Sequence, residues 1–92
     1  MSIFKNTYIG KQAVTSISSS TALTVPAGAT AVYLQARLKD VYVTFDASTA
    51  SATNGLKLMT DGAPFFWEGN LADIRMIESA ASGAVHAVFV AT

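Results

Sequence analysis

The chain contains no cysteine, one histidine and few charged residues of either sign. The absence of cysteine excludes disulfides, thiolate metal sites and cysteine nucleophiles. Six basic and six acidic residues cancel to a net charge of zero, which argues against a nucleic-acid binder, because such proteins usually carry a basic patch. No apolar run approaches the roughly 20 residues of a membrane-spanning helix, and the N-terminus has no unbroken apolar stretch typical of a signal peptide. We therefore expect synthesis in the cytoplasm, with no nucleic-acid or membrane partner.

The residues that are present are unusually apolar for so short a chain. Of 92 residues, 51% are hydrophobic and 13% are charged, whereas an average soluble domain has roughly 25% charged residues. The length allows one domain, and a domain this small leaves much of its surface outside any core. The excess apolar residues must cover something, and the surface of another protein is the natural candidate.

Period-two alternation of apolar and polar residues recurs throughout and predicts strands. Val85, Ala87 and Phe89, for example, alternate with His86 and Val88. The predicted strands are 12–18, 21–25, 31–37, 41–46, 56–59, 64–68, 73–78 and 84–91. Short strands at this spacing are typical of a sandwich or a barrel. We expect an all-β fold: a single, jelly-roll-like β-sandwich of about eight short antiparallel strands.

Turn-forming residues separate the predicted strands. Pro26-Ala27-Gly28 indicates a turn, and Asn54-Gly55 can supply positive φ angles at low cost. Lys39-Asp40 sits between two strand-like runs and predicts a tight hairpin. Residues 79–83 are expected to link the last two strands as a short loop.

The first ten residues precede the first clear strand. We therefore expect residues 1–10 to be an N-terminal arm and residues 11–92 to be the sandwich domain. The arm contains Phe4 and Tyr8, and apolar residues are disfavoured in a free arm. We expect it to dock on its own sheet edge or, as we favour, on a neighbouring subunit or shell by strand addition.

No catalytic or metal-binding motif is present. The single histidine, His86, is placed by alternation on the polar side of its strand, and no motif sets a nucleophile or carboxylate beside it. The acidic residues are scattered, and a glycosidase-type pair stays an alternative because spacing across a fold is invisible in sequence. Asp46 and Asn54 flank a loop of small residues and could contribute to a calcium site, although acidic ligands are sparse there. We expect no enzyme activity, no cofactor and no metal.

Aromatic residues carry more information about function. Neighbours in Phe65-Phe66-Trp67 must point to opposite faces of a strand, so at least one large ring points away from the core. Aromatic residues and arginine are enriched at interface hot spots, although scattered surface aromatics or sugar-stacking rings would give the same pattern. The predicted partner interface comprises Phe4, Tyr8, Tyr33, Arg37, Tyr42, Phe65, Trp67 and Arg75.

The segment Leu23-Thr24-Val25-Pro26-Ala27-Gly28-Ala29 resembles the "L-x-V-P-A-G-A" opening of small β proteins encoded among the head genes of tailed bacteriophages. The similarity continues through Val41–Asp46, Thr53–Leu58 and Ile74–Ile77 to the turn at 80–83 before the last strand. It covers roughly residues 21–91. These are turn-and-strand patterns without a chemical signature, and residues 1–20 fall outside them.

The resemblance implies a virion component, most simply a capsid decoration (cement) protein. Such proteins commonly bind the outside of the shell as trimers, so the expected partners are the major capsid protein and further copies of this chain, with a trimer favoured. The expected location is the virion. The alternative is a tail or fibre module that binds a host receptor or glycan.

Overall fold

The computed structural model describes residues 7–92, which form two four-stranded antiparallel sheets. The strands are β1 (Thr7–Val14), β2 (Thr21–Ala22), β3 (Ala31–Arg37), β4 (Val41–Thr44), β5 (Leu56–Leu58), β6 (Phe65–Glu68), β7 (Arg75–Glu78) and β8 (Ala84–Ala91). A short 3₁₀ helix, Leu71–Asp73, precedes β7. Within residues 7–92 no helix has the length and apolarity needed to cross a membrane.

The strand order is that of a jelly roll. The first sheet runs β1-β8-β3-β6 and the second runs β2-β7-β4-β5. Strands pair as nested antiparallel partners, β1 with β8, β2 with β7, β3 with β6 and β4 with β5. Pairing of β3 with β8 and of β4 with β7 completes the two sheets. The expected eight-stranded sandwich is therefore confirmed.

The core lies between the two sheets and consists of their inward-facing side chains. Alternation in the two longest inner strands is as the sequence predicts: Val32, Leu34 and Ala36 of β3 face the core, as do Val85, Ala87 and Phe89 of β8. The second sheet contributes Val41, Val43 and Met76. Burial of these apolar side chains is the main force that holds the sheets together.

The predicted turn at Pro26-Ala27-Gly28 is confirmed. The Ala29 amide donates to the Pro26 carbonyl at 3.3 Å, and Gly28 has a φ of 87°. A positive φ at the third position of a turn defines type II and favours glycine there. The turn directs the chain into β3, one of the two inner strands of the first sheet.

The first strand differs from its predicted position. It begins at Thr7 rather than at residue 12, so residues 7–10 of the expected arm are part of β1 and pair with β8. It ends at Val14, because Ser16 takes a positive φ of 58° and turns Ile17 into the core. The remainder of the expected arm, residues 1–6, lies outside the described residues.

The predicted hairpin at Lys39-Asp40 is wrong. The strands on either side of it, β3 and β4, belong to different sheets, so the turn is a corner that crosses the sandwich. The Lys39 amide donates to the Arg37 carbonyl at 2.9 Å, with Leu38 between them at a φ of 74°. This tight γ-turn reverses the chain without placing the two strands side by side.

Candidate interaction surface

The three consecutive aromatic residues of β6 divide between the two faces of the first sheet. Phe65 and Trp67 pair with Leu34 and Val32 of β3, whose side chains are buried in the core. Directly paired residues share a face, so both rings point to the inner side. Phe66 pairs with Tyr33, points outward and is 40% exposed.

The two inner rings close one side of the sandwich. Phe45 stacks obliquely on Trp67, with ring centroids 4.4 Å apart, and on Phe65 at 5.5 Å. Trp67 also packs against the buried core. Its indole N–H is buried without a hydrogen-bond partner in the described part of the chain. Trp67 therefore acts mainly as a core-covering residue, and its polar atom is left unpaired.

The outer side of the first sheet carries a contiguous apolar patch. One row of directly paired residues crosses all four strands, and its members are Lys11, Val88, Tyr33 and Phe66. Tyr8 lies in the next row and is 60% exposed. The Tyr33 and Phe66 rings stack at 4.9 Å, which fixes them as one surface. We call Tyr8, Val88, Tyr33 and Phe66 the apolar outer patch.

Opposite charges lie at the two edges of this patch. Lys11 is on edge strand β1, and Glu68 is on edge strand β6, in the row next to that of Lys11. Glu68 accepts a hydrogen bond from the Thr92 hydroxyl at 2.6 Å. Among residues 7–92, neither Lys11 nor Glu68 has an ion-pair partner. Two unpaired charges of opposite sign thus face solvent at opposite ends of an apolar stripe.

One end of the same outer face carries a small polar cluster. Arg37 Nε donates to Asp61 Oδ1 at 2.6 Å, and Arg37 Nη1 lies 3.4 Å from His86 Nδ1. All three side chains are largely exposed or half-buried, so water screens their interaction. The cluster makes this end of the face polar and limits the apolar outer patch on that side.

The remaining candidates belong to the second sheet. Tyr42 lies on its outer side, half-buried and opposite the buried Val41 and Val43. Arg75 is also half-buried, and its Nη1 donates to the Ala72 carbonyl at 2.7 Å and the Ile74 carbonyl at 3.0 Å. Arg75 is thereby held against the backbone of the 3₁₀ segment.

A cleft of about 400 Å³ opens between the sheets where edge strands β5 and β6 meet. Trp67 and Phe45 form its aromatic wall, and the half-exposed Leu56 forms part of the opposite side. Asp46 and Asn54 supply polar groups in its lining. We call this the edge cleft. It combines aromatic rings with carboxylate and amide groups, which is the chemistry of a small polar ligand site.

The loop that follows β4 uses its polar groups internally. Asp46 Oδ1 accepts from the amide and hydroxyl of Ser48, and Asn54 Nδ2 donates to the Ser48 hydroxyl at 3.0 Å and to the Thr49 carbonyl at 2.8 Å. The hydrogen bonds from the hydroxyl and then the amide of Ser48 lower the pKa of Asp46. No group of three His, Cys, Asp or Glu side chains suited to a metal ion occurs among residues 7–92.

The predicted interface residues are therefore not one surface. Tyr8, Tyr33 and Arg37 share the outer side of the first sheet, Tyr42 and Arg75 lie on the second sheet, and Phe65 and Trp67 face inward. Phe4 lies outside the described residues. The predicted set does not include Phe66 and Val88, which lie on the outer face. Alternation with Phe89 would have placed Val88 there, whereas the sequence gives no signal for which of the three β6 aromatic residues points outward.

Comparison of the chain with protein-family models, with curated proteins and with solved structures finds no match.

Proposed function

We propose that the chain is a non-enzymatic structural protein of a tailed-bacteriophage particle, acting as a decoration (cement) protein on the outside of the capsid. The observation that supports this proposal is the apolar outer patch. Tyr8, Phe66 and Val88 are 60%, 40% and 36% exposed, and contiguous exposed apolar residues mark protein contact sites. The choice of a phage particle comes from the resemblance of residues 21–91 to phage head-gene proteins.

A decoration protein acts by binding the assembled shell more tightly than the dissociated shell subunits. A protein that binds the assembled shell, and not its dissociated subunits, stabilises the shell by about 2.7 kcal/mol per site at a free concentration 100 times its dissociation constant. A small rigid sandwich suits this role, because its binding face is preformed and little conformational entropy is lost on docking. Apolar side chains buried across the seam between capsid subunits would supply the affinity.

Co-sedimentation of the protein with capsid shells tests the proposal. The shells are those of the phage to which the protein belongs, after the protein has been removed from them. The wild-type protein is expected in the pellet with the shells, and the bound shells should withstand a higher temperature before they release their contents. Failure of the wild-type protein to sediment with intact shells would overturn the proposal.

A matched pair of variants tests which surface is used. Val88→Asp places a carboxylate in the apolar outer patch, whereas Leu38→Asp places a carboxylate outside the patch, at a residue of the β3–β4 corner that is 67% exposed. We expect V88D to lose shell binding and L38D to retain it. Equal loss in both variants would contradict the assignment of the patch.

The edge cleft favours a second candidate function, a tail or fibre module that binds a glycan. Sugars are recognised by aromatic rings together with carboxylate and amide groups, and Trp67, Asp46 and Asn54 line the cleft. Asp46 Oδ1 and Asn54 Nδ2 are used within the loop, so the acceptors for a sugar would be Asp46 Oδ2 and Asn54 Oδ1. Trp67 is the single tryptophan of the chain, so its fluorescence reports on the cleft directly. A glycan array followed by fluorescence titration tests this function. If no sugar on the array binds, the glycan-binding function is refuted.

A further inference from the structure

We propose that Asn54, in the loop between β4 and β5, is a site of spontaneous deamidation, and that the hydrogen bonds of its own side-chain amide control the rate. The product carries a new carboxylate in the lining of the edge cleft. The inference concerns the covalent chemistry of this loop, and it depends neither on the virion role nor on glycan binding.

Asn54 is followed by Gly55, and a glycine at this position favours the reaction. Deamidation begins when the backbone nitrogen of the following residue attacks the side-chain carbonyl carbon of asparagine. Glycine has no Cβ to shield that nitrogen, and its backbone is the least restricted of any residue. Both residues are exposed, so water and hydroxide can reach the reacting atoms. Asparagine is for this reason a thermolabile residue in proteins.

The fold requires the glycine of this pair. Gly55 has a φ of 126°, and an added Cβ would lie 2.6 Å from the Val43 carbonyl oxygen. A side chain at this position would therefore strain the backbone and displace β4. The shape of the loop thus keeps a glycine directly after Asn54, and the reactive pair is a consequence of the fold.

The side chain of Asn54 is tied to the preceding part of the loop. Its Nδ2 donates to Ser48 Oγ at 3.0 Å and to the Thr49 carbonyl at 2.8 Å. Its backbone N–H and C=O exchange hydrogen bonds with Ser51 at 3.2 and 3.1 Å. Because Nδ2 leaves as ammonia, both of its hydrogen bonds must break during the reaction. The folded loop therefore slows a reaction to which the dipeptide is intrinsically prone.

The reaction needs water and no other reactant. The Gly55 nitrogen loses its proton to hydroxide and bonds to Asn54 Cγ. The Cγ–Nδ2 bond then breaks, and Nδ2 leaves as ammonia after taking a proton from water, which returns the hydroxide. Water opens the resulting succinimide ring at Cγ to give aspartate, or at the main-chain carbonyl carbon to give isoaspartate. No atom is oxidised or reduced.

Deamidation changes both the charge and the hydrogen bonding of the edge cleft. Asp46 already contributes one carboxylate to the lining, and Asn54 would become a second. The described residues that line the cleft include no basic side chain, so the new carboxylate gains no ion pair there. It also has no N–H to donate to the Thr49 carbonyl, and two acceptors then face each other. We expect the loop to be held less firmly as a result.

Ageing of the folded full chain at mildly alkaline pH tests the site. The other two asparagines, Asn6 and Asn70, are followed by Thr7 and Leu71, whose side chains shield the backbone nitrogen. Peptide mass spectrometry follows each asparagine separately through the mass change from NH₂ to OH. We expect Asn54 to react first and to give both aspartate and isoaspartate. An unmodified Asn54, or equal or faster modification of Asn6 or Asn70, would overturn the assignment.

The role of the hydrogen bonds is tested by unfolding and by a matched pair of serine variants. One ordinary hydrogen bond corresponds to a factor of roughly five. Asn54 should therefore react roughly twenty-fivefold more slowly in the folded chain than in guanidinium chloride. S48A removes one acceptor of Nδ2 and should raise the folded rate roughly fivefold. S51A removes a hydroxyl that is hydrogen-bonded to Thr53 and should leave the rate unchanged.

A conservative variant and the unfolded chain serve as further controls. S48T keeps a hydroxyl at this position and should retain the slow rate. In guanidinium chloride the wild type and all three variants should react at one rate, and circular dichroism confirms that each variant is folded without denaturant. Equal rates in the folded and unfolded wild type, or equal effects of S48A and S51A, would overturn control by these hydrogen bonds.

The effect of the product on the loop is measured with Asn54→Asp, which reproduces the aspartate form. We expect N54D to unfold at a lower urea concentration than wild type, because the two hydrogen bonds from Nδ2 are lost. The aged protein, separated from unmodified chains by ion exchange, should show a shift in the same direction. Unchanged urea midpoints in both samples would overturn the expected loosening of the loop.

Discussion

Replacing Trp67 and Phe66 in turn with alanine tests the central structural assignment, that two neighbouring aromatic residues serve opposite faces. Aromatic-to-alanine changes at fully buried sites cost about 3–5 kcal/mol. Trp67 is only partly buried, and its deletion also removes an unpartnered indole N–H. We therefore expect W67A to lower the free energy of unfolding by about 2–3 kcal/mol, through lost contacts with Phe45 and the core.

Phe66→Ala should cost much less stability in the monomer. Phe66 is 40% exposed, so the main loss is its stacking with Tyr33, worth about 1 kcal/mol. In a domain of this size W67A should lower Tm by about 10 °C or more and F66A by about 5 °C. The same F66A variant should weaken binding to the shell, because it removes an exposed ring of the apolar outer patch.

The assay is urea unfolding followed by circular dichroism. A third variant, W67F, keeps an aromatic ring and removes the unpaired N–H, and it should remain within about 1 kcal/mol of wild type. A greater loss for F66A than for W67A would refute the assignment of the two faces. An equal loss for W67F and W67A would refute the packing role of the ring.

Two further perturbations test details of the fold. Gly55→Ala should destabilise the fold by at least about 2 kcal/mol, because Gly55 has a φ of 126° and an added Cβ would lie 2.6 Å from the Val43 carbonyl oxygen. Gly28→Ala is the control: Gly28 has a φ of 87° with open space around it, so the change should cost about 1 kcal/mol. Equal urea midpoints for the two variants would contradict the clash at Gly55. Hydrogen bonds from the hydroxyl and amide of Thr60, each at 2.7 Å, hold the pKa of Asp40 below its ordinary value of 3.8. A carboxyl whose pKa is lowered by folding stabilises the fold above its unfolded pKa and loses that contribution as the pH falls through 4 and below. The free energy of unfolding should therefore decline over this pH range. D40N should show a shallower decline when urea titrations are repeated at each pH.

Much of the fold could be predicted from local pattern. The alternation of Val85, Ala87 and Phe89 identifies β8 and its buried side, and Pro26-Ala27-Gly28 ends in a residue that accepts a positive φ. Both signals are local, because side-chain direction in a strand and the φ of a turn residue depend on immediate neighbours. The predicted bounds of β3 and β8 accordingly agree with the structure.

The candidate surface was less predictable. Strict alternation separates Phe66 from its neighbours Phe65 and Trp67, yet it does not say which set faces the core, since all three are large and apolar. The tertiary structure decides which set faces the core, because Phe45 of the second sheet packs on Trp67 from the inner side. Lys11 and Glu68 carry no sequence signal for being at opposite edges of one face, because their strands are joined only through β8 and β3.

The sequence by itself determined the fold class of this protein: its alternating apolar residues, short segments and turn formers predict an all-β fold of short strands, a sandwich or a barrel. Tertiary structure alone decided how the strands are connected in space. The Lys39-Asp40 turn has the same local chemistry whether it closes a hairpin or crosses between sheets, and pairing of β3 with β8 rather than with β4 settles which it does. That non-local pairing brings Tyr8, Val88, Tyr33 and Phe66 together as one surface, because residues far apart in the chain become neighbours only when the sheets form.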